Sequence, residues 1–145
     1  MKFVAKKFEE LSLVELYEIL LARAEVFLLE QNIVCQDLDR IDYKSLHCFY
    51  TENDKVCAYL RAFYAENEKD TVYIGRVLTI SHGKGDGRAL MENALSEIKK
   101  RLPCKKLALH AQTYAKGFYE KFGFTVGGEE FLEEGVAHIF MTAEV

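Results

Sequence analysis

The stretch HGKGDGRALM, residues 82–91, decides how this chain is interpreted, because it places alternating glycines between a β-type segment and a helical one. Gly83, Gly85 and Gly87 permit positive φ angles and let a ligand approach the backbone without meeting a Cβ atom. The helix that follows begins with amide groups that lack partners and carry partial positive charge. This stretch predicts a phosphate-binding turn at a helix N-terminus.

The glycines have three other interpretations. A P-loop needs a lysine followed by Ser or Thr at the end of the loop, and no such pair closes this one. A dinucleotide-binding fold needs a third glycine where Arg88 stands, and it needs parallel strands before the loop. A glycine-rich turn that only connects two elements is the remaining alternative. Lys84 and Arg88 add local positive charge, which favours an anionic ligand.

Composition limits the kind of protein. The chain has 145 residues, a net charge of −4 and 50% hydrophobic residues, which fits one domain over residues 1–145 with a buried core. This charge gives no basic surface for nucleic acid, so we expect no nucleic-acid partner. There is one proline, Pro103, and no Gly/Ser-rich linker to mark a domain boundary.

Cysteine spacing and hydropathy set further expectations. Four cysteines lie too far apart for a CxxC knuckle, so we expect reduced thiols and no metal. No apolar run approaches the ~20 residues that span a bilayer, and residues 1–10 lack the apolar core of a signal peptide. We therefore expect a cytoplasmic protein with no membrane partner.

Hydrophobic periodicity predicts seven strands and three helices. The strands are residues 2–8, 46–51, 56–64, 71–80, 106–111, 124–131 and 136–142. The first helix begins at Ser12, which forms a capping box with Glu15, the second runs from the glycine loop to Pro103, and the third covers residues 113–122. The fold class is α/β (α+β), with one mixed, mostly antiparallel sheet and helices on both faces.

Two details of the first helix and its neighbour are also predicted. Leu16, Leu20, Ala24 and Phe27 form an apolar stripe at helical spacing. Residues 30–42 are polar and acidic, which indicates a loop or a frayed helix end. The aspartates within residues 37–42 resemble half of a calcium loop but lack its glycine and closing glutamate, so we expect a solvated loop.

Two motifs resemble those of the GNAT superfamily. VLT (77–79) followed by HGKGDGRALM (82–91) is similar to its motif A, and AKGFYEKFGF (115–124) looks like the AxxxYxxxGF ending of its motif B. Shorter blocks resemble the ElaA-like branch of that superfamily. They are AEVF (24–27), EQ (30–31), QDLD (36–39), GRV (75–77), HAQ (110–112) and EEGVAHI (133–139).

The resemblance implies a GNAT fold and acetyl-CoA as co-substrate, with an amine attacking the thioester directly. The strand that carries residues 77–79 would splay from its neighbour and bind the pantetheine arm through backbone groups. The residues that would hold the cofactor are Val77, Leu78, Thr79, His82, Gly83, Lys84, Gly85, Asp86, Gly87, Arg88, Ala89, Gln112 and Phe118.

The motif B tyrosine, Tyr119, is the candidate general acid, although it could equally be a core aromatic residue. His138 and His110 titrate near neutrality and are candidate bases, with a purely structural role as the alternative. Glu30 is a further candidate base or a residue of the amine pocket. Glu25 and Arg76 match the branch and could line that pocket, and Tyr43, Tyr59 and Tyr64 could favour a cationic amine.

The sequence departs from the superfamily pattern in two places. His82 stands where motif A has Arg or Gln, and the approach to the loop from Gly75 is about two residues short. Both departures bear on cofactor affinity, so a non-catalytic acyl-CoA-binding or sensor module on the same fold is the alternative function. The acceptor is an unidentified amine of a small molecule or protein. A homodimer could form through the edge strand, residues 2–8, or through the C-terminal hairpin.

Overall fold

The computed structural model describes residues 1–145 and contains one open sheet of eight strands. The strands are β1 (Lys2–Lys7), β2 (Leu46–Glu52), β3 (Lys55–Tyr64), β4 (Thr71–Thr79), β5 (Lys106–Gln112), β6 (Thr125–Val126), β7 (Phe131–Glu133) and β8 (Val136–Glu144). The helices are α1 (Leu13–Arg23), α2 (Asp86–Arg101) and α3 (Lys116–Glu120). A π-helical segment (Ala24–Glu30) continues α1, and 3₁₀ turns cover Phe8–Glu10, Ile41–Lys44 and Thr113–Ala115.

The strand order is β1-β2-β3-β4-β5-β8-β6, and β7 also pairs with β8. Every pairing is antiparallel except β4 with β5, which is parallel. The predicted mixed, mostly antiparallel sheet is confirmed, with β1 at one edge. No helix of the chain has the length and apolar character needed to cross a membrane.

Helix α2 covers one face of the sheet. Its apolar stripe of Leu90, Met91, Ala94 and Ile98 is fully buried against strand residues such as Leu60. Removing each of these side chains from water stabilises the fold by about 1–3 kcal/mol before entropy is counted. This face therefore carries the larger of two cores.

Helix α1 and the π-helical segment cover the opposite face. Ser12 Oγ accepts the Glu15 amide at 3.0 Å and Glu15 Oε1 accepts the Ser12 amide at 2.8 Å, which confirms the capping box. The predicted stripe is partly wrong, because Ile19 and Val26 are buried whereas Ala24 is exposed. The buried positions Ile19, Ala22, Arg23 and Val26 still follow helical spacing, so the face that packs on the sheet is rotated by about one residue from the predicted stripe.

The predicted strand over residues 124–131 is also wrong in extent. It is divided into β6 and β7, both of which pair with β8. At the break, the Gly127 amide donates to the Phe140 carbonyl at 2.8 Å, and a Cβ atom on Gly127 would lie 3.0 Å from the Phe140 ring. The following residues GEE (128–130) lack β-forming side chains, so the chain leaves the sheet there.

A β-bulge in β4 changes which way its side chains face. Tyr59 pairs with Leu78 but Arg61 pairs with Gly75, so two residues of β4 stand opposite one residue of β3. Arg76 lies in this bulge with φ of +53°. Before the bulge Ile74 packs on the α2 side, and after it Leu78 packs on the α1 side. The bulge thus re-aims the second half of β4 beside the site.

Candidate active site

Strands β4 and β5 separate halfway along their length. Their parallel pairing covers Thr71–Tyr73 and Lys106–Ala108, and the register ends at the pair Tyr73 and Ala108. Beyond this pair the edge of β4 that faces β5 makes no ladder hydrogen bonds, so its backbone donors and acceptors are free. The splayed strand that the resemblance implied is confirmed.

The glycine loop connects the end of β4 to α2. Gly83 has φ of +76° and Gly85 has φ of +81°, and a Cβ atom at either position would meet no atom within 4 Å. Gly85 is the N-cap residue of α2, and no side chain caps the helix. The first amides of α2 therefore have no side-chain cap, an arrangement that is compatible with the phosphate-binding turn predicted from the sequence.

Charged side chains around this loop are largely paired with one another. Arg88 Nε donates to Glu92 Oε1 at 3.0 Å on the surface of α2. His82 Nε2 is hydrogen-bonded to a carboxylate oxygen of Glu30, which lies at the end of the π-helical segment. Lys84 forms no ion pair. Because His82 and Arg88 already have carboxylate partners, the backbone amides of the loop are the main groups available to an anion.

A cavity of about 790 Å³ opens where β4 and β5 part. Val77 lines it from β4, Gln112 from β5 and Tyr119 from α3. Gln112 Nε2 donates to the side-chain oxygen of Gln31 at 2.9 Å, which joins β5 to the π-helical segment. Because it lies between the parted strands, the cavity brings free β4 backbone groups and the Tyr119 side chain to one place.

Tyr119 is 8% exposed and its ring packs edge-on against Phe118 and Phe124. Burial raises the pKa of the Tyr119 phenol well above its ordinary value. Its hydroxyl group makes no hydrogen bond within the protein, but it is not a fully enclosed atom, because the residue lines the cavity. Phe118, which belongs to α3, packs its ring against the start of α2. The ring lies 3.5 Å from where a Cβ atom on Gly87 would stand.

Two of the predicted site histidines share one carboxylate. His110 Nδ1 donates to Glu133 Oε1 at 2.9 Å, and His138 Nε2 lies 3.6 Å from Glu133 Oε2. His138 Nδ1 donates to the Val136 carbonyl at 2.7 Å, because a carbonyl can only accept. In the neutral His138 ring the lone pair is therefore on Nε2. His138 is one of the residues that line the cavity.

An ion network lies beneath the cavity, in the segment predicted to be a solvated loop. Arg23 Nε donates to Asp37 Oδ2 at 2.9 Å, and Arg23 Nη1 donates to Asp42 Oδ1 at 2.7 Å. Arg61 donates to Asp39 Oδ2 at 2.7 Å and to Asp42 Oδ1 at 3.0 Å. The solvated-loop prediction is wrong, because these aspartates neutralise two buried arginines. Arg23 precedes the acidic segment in the chain and Arg61 follows it.

Arg76 completes this network from the β4 bulge, where its Nε donates to Asp37 Oδ1 at 2.8 Å. Burial alone would raise the pKa of the Asp39 carboxyl, but the hydrogen bonds and charges of Arg61 and Arg76 bring it down to about 2. We call this set the Arg–Asp network. Its members are Arg23, Asp37, Asp39, Asp42, Arg61 and Arg76.

Several residues proposed for the amine pocket lie elsewhere. Tyr59 is fully buried and its hydroxyl donates to His47 Nδ1 at 2.7 Å. Tyr64 donates to the Pro103 carbonyl at 2.9 Å, and Tyr43 packs against a phenylalanine of the first 3₁₀ turn. None of the three lines the cavity. Glu25 and Glu30 also lie outside its lining, whereas Arg76 is part of it.

Sequence reasoning missed Glu133 and the two arginines Arg23 and Arg61. Glu133 was named as part of the EEGVAHI block (133–139) and was given no role, and nothing in its local sequence indicates the two histidines that it contacts. The arginines carried a detectable signal, since Arg23 lies on the buried side of α1 and Arg61 lies in an apolar strand. A charged residue in such a position needs a partner, and the acidic segment was the available source.

Comparison with known proteins agrees with this geometry. A family model described as an acetyltransferase (GNAT) domain matches residues 21–145. The ElaA protein of Escherichia coli K12 is 36% identical over 140 residues, which cover 94% of this chain and 92% of that protein. The chain belongs to the GNAT acetyltransferase family, and it is homologous to ElaA.

Solved structures agree with the assignment of the fold. The crystal structure of Escherichia coli ElaA has a TM-score of 0.91 with this chain at 33% identity, and the match covers 99% of both chains. An acyl-CoA N-acyltransferase from Pseudomonas aeruginosa gives a TM-score of 0.90 at 32% identity, again over 99% of both chains. The predicted resemblance to the GNAT superfamily and its ElaA-like branch is confirmed.

Proposed function

We propose that this protein is an acetyl-CoA-dependent N-acetyltransferase that moves an acetyl group directly from the thioester to an amine. The observation that carries the proposal is the separation of β4 from β5 after Tyr73 and Ala108, beside a cavity that contains the Tyr119 hydroxyl. A thioester arm needs unpaired backbone groups along its length, and the second half of β4 supplies them.

The glycine loop fits the diphosphate of the cofactor. Positive φ angles at Gly83 and Gly85 aim the loop backbone, and open space over both residues leaves room for phosphate oxygens. The uncapped start of α2 adds amides of Asp86, Gly87 and Arg88, aided by the helix dipole. These contacts depend on the backbone, so they do not require the Arg or Gln that His82 replaces.

The acetyl carbonyl would lie where the bulge ends, near Val77 and Leu78. A backbone amide of β4 at this position can donate to the oxygen as negative charge develops during attack. Such a donor is already fixed by the sheet, so it stabilises the transition state without being reorganised first. The bulge at Arg76 is the feature that sets its direction.

His138 is our proposed base and Tyr119 our proposed acid. The Nε2 lone pair of His138 accepts the amine proton, and the Glu133 carboxylate stabilises the imidazolium that results. The Tyr119 hydroxyl, which belongs to the cavity lining, donates its proton to the departing sulfur as the C–S bond breaks. His110 holds the other oxygen of Glu133 and positions the carboxylate.

Thiol release from acetyl-CoA tests this function directly. Purified protein is mixed with acetyl-CoA and a panel of polyamines, amino acids, aminoglycosides and lysine peptides, and free thiol is measured against an enzyme-free control. We expect release that depends on an amine. Calorimetric binding of acetyl-CoA without thiol release for any amine would instead support the non-catalytic binding module, and absence of binding at millimolar concentration would contradict both functions.

A further inference from the structure

The cavity is lined by twice as many carboxylates as cationic side chains. The carboxylates are Asp37, Asp39, Glu66, Glu68, Glu133 and Glu134, and the cations are Lys44, Arg61 and Arg76. The two aspartates are neutralised within the Arg–Asp network. The excess negative charge therefore belongs to the four glutamates, which are opposed by Lys44 and by Lys106 at 3.6 Å from Glu68.

Two of these glutamates belong to one continuous surface, which we call the acidic wall. The Tyr73 hydroxyl donates to Glu68 Oε1 at 3.2 Å, and the Tyr73 ring lies 5.9 Å from the His110 ring. His110 in turn donates to Glu133 at 2.9 Å. The acidic wall thus consists of Glu68, Tyr73, His110 and Glu133. Both carboxylates are nearly half exposed, so a ligand can reach them.

One largely buried polar side chain that lines the same cavity has no hydrogen-bond partner in the protein. Tyr119 is 8% exposed, and its hydroxyl group makes no hydrogen bond within the protein. His138 is 7% exposed; its Nδ1 atom donates to the Val136 carbonyl, and its Nε2 atom lies 3.6 Å from Glu133. A tyrosine hydroxyl in such surroundings normally has a partner, so Tyr119 points to a ligand that brings polar atoms of its own.

We propose that the acceptor is an alkylamine with a second cationic group, of the diamine or polyamine class. This inference rests on the acetyltransferase function proposed above. The second ammonium group stays charged and lies against the acidic wall, where the carboxylates of Glu68 and Glu133 stabilise it. An acceptor that carried a carboxylate in that position would meet the excess negative charge.

The reaction balances with these groups. The reacting amine gives one proton to His138 Nε2, and its nitrogen forms a C–N bond with the acetyl carbon. The C–S bond breaks, its electron pair goes to sulfur, and the sulfur takes the Tyr119 proton to give free coenzyme A. Water then returns a proton to Tyr119 and removes one from His138. The products are the N-acetyl amine and the free thiol.

A matched series of three amines tests the inference. The compounds are 1,4-diaminobutane, butylamine and 4-aminobutanoate, which share a four-carbon chain and differ in the charge at the far end. Thiol release gives kcat/KM for each. We expect the diamine to exceed butylamine by about tenfold, since one charge-assisted contact discriminates on this scale, and 4-aminobutanoate to be poorest.

The variant Glu68→Gln separates the acidic wall from general effects, with Glu129→Gln outside the cavity as its control. We expect Glu68→Gln to reduce the ratio of diamine to butylamine by about fivefold, and Glu129→Gln to leave it unchanged. An unchanged ratio in Glu68→Gln would overturn the inference. Equal use of all three amines, or release only with lysine peptides, would overturn it while leaving the acetyltransferase function intact. If no amine at all releases thiol, the proposed function itself is wrong.

Discussion

Arg23 Nη1 donates to Asp42 Oδ1 across 2.7 Å, and both residues are more than nine-tenths buried. The same oxygen accepts from Arg61 Nη1 at 3.0 Å, so one carboxylate joins the end of α1 to the middle of β3. Because Asp42 pairs with both of them, Arg23 and Arg61 can be buried beside the cavity, whose lining includes Arg61. Burial of an unpaired charge would cost several kcal/mol.

We therefore predict that Asp42→Ala destabilises the fold by about 3–5 kcal/mol, because it leaves Arg23 and Arg61 buried with one fewer counter-charge. Urea unfolding would measure the change in the free energy of unfolding. Glu92→Ala is the matched control, since it breaks an exposed pair with Arg88 of similar length and should cost under about 1 kcal/mol. Equal effects of the two substitutions would show that burial does not decide the strength of these pairs.

Stability should also fall at acidic pH because of Asp39. Its pKa is about 2 in the folded protein, below the ordinary value of about 3.9 in an unfolded chain. The folded state therefore binds the proton less readily, and the stabilisation is complete above about pH 4 and is lost as the pH falls towards 2. The depressed pKa corresponds to at most about 2 kcal/mol, because Asp39 is partly exposed and solvent screens its ion pairs.

Urea unfolding at pH 5 and at pH 2.5 measures this loss in the wild type and in Asp39→Asn. We expect the variant to lose less stability between the two pH values, because it has no carboxyl to protonate at that position. Asp54→Asn, in the exposed β2–β3 turn, should keep the wild-type pH dependence. Identical pH profiles for wild type and Asp39→Asn would contradict the assignment.

Backbone conformation at Gly85 should govern affinity for acetyl-CoA. A Cβ atom there meets no neighbour, but φ of +81° costs an L-residue about 1 kcal/mol. We expect Gly85→Ala to raise the KM for acetyl-CoA by about fivefold. Gly128→Ala is the control, because Gly128 also has open space but lacks a positive φ. A KM that does not differ between the two variants would argue against the loop as the diphosphate site.

Loss of the Tyr119 hydroxyl should slow turnover without weakening the fold. General acid catalysis contributes about 10²–10⁴-fold, so we expect Tyr119→Phe to lower kcat by about a hundredfold at saturating acetyl-CoA. The thermal midpoint should be unchanged, since the hydroxyl has no protein partner to lose. Tyr17→Phe, on the exposed side of α1, serves as the control. Wild-type kcat in Tyr119→Phe would remove the tyrosine from the mechanism.

Much of the fold follows from short-range pattern. The capping box at Ser12 and Glu15, the β2–β3 hairpin and the amphipathic α2 each depend on residues a few positions apart. The same holds for the glycine loop, because positive φ at Gly83 and Gly85 is a local property of the backbone. The sequence therefore predicted the glycine turn between β4 and α2 and the order of the elements. It failed at residues 128–130, which leave the sheet and divide the predicted strand into β6 and β7.

The composition of the cavity depended on contacts between distant parts of the chain. Glu133 meets His110 across 23 positions, and Arg76 meets Asp37 across 39, so no local periodicity reports either pair. The acidic segment appeared solvated because its partners are buried in elements that looked apolar.

By itself, then, the sequence determined the elements, their order and the glycine turn between β4 and α2, since helix and strand periodicity and glycine torsions are set by neighbouring residues. Only the tertiary structure decided that three arginines neutralise the acidic segment and that Glu133 joins two histidines in one cavity. The physical reason is that burial and pairing of charge depend on distances in space, which are fixed only when the sheet has formed.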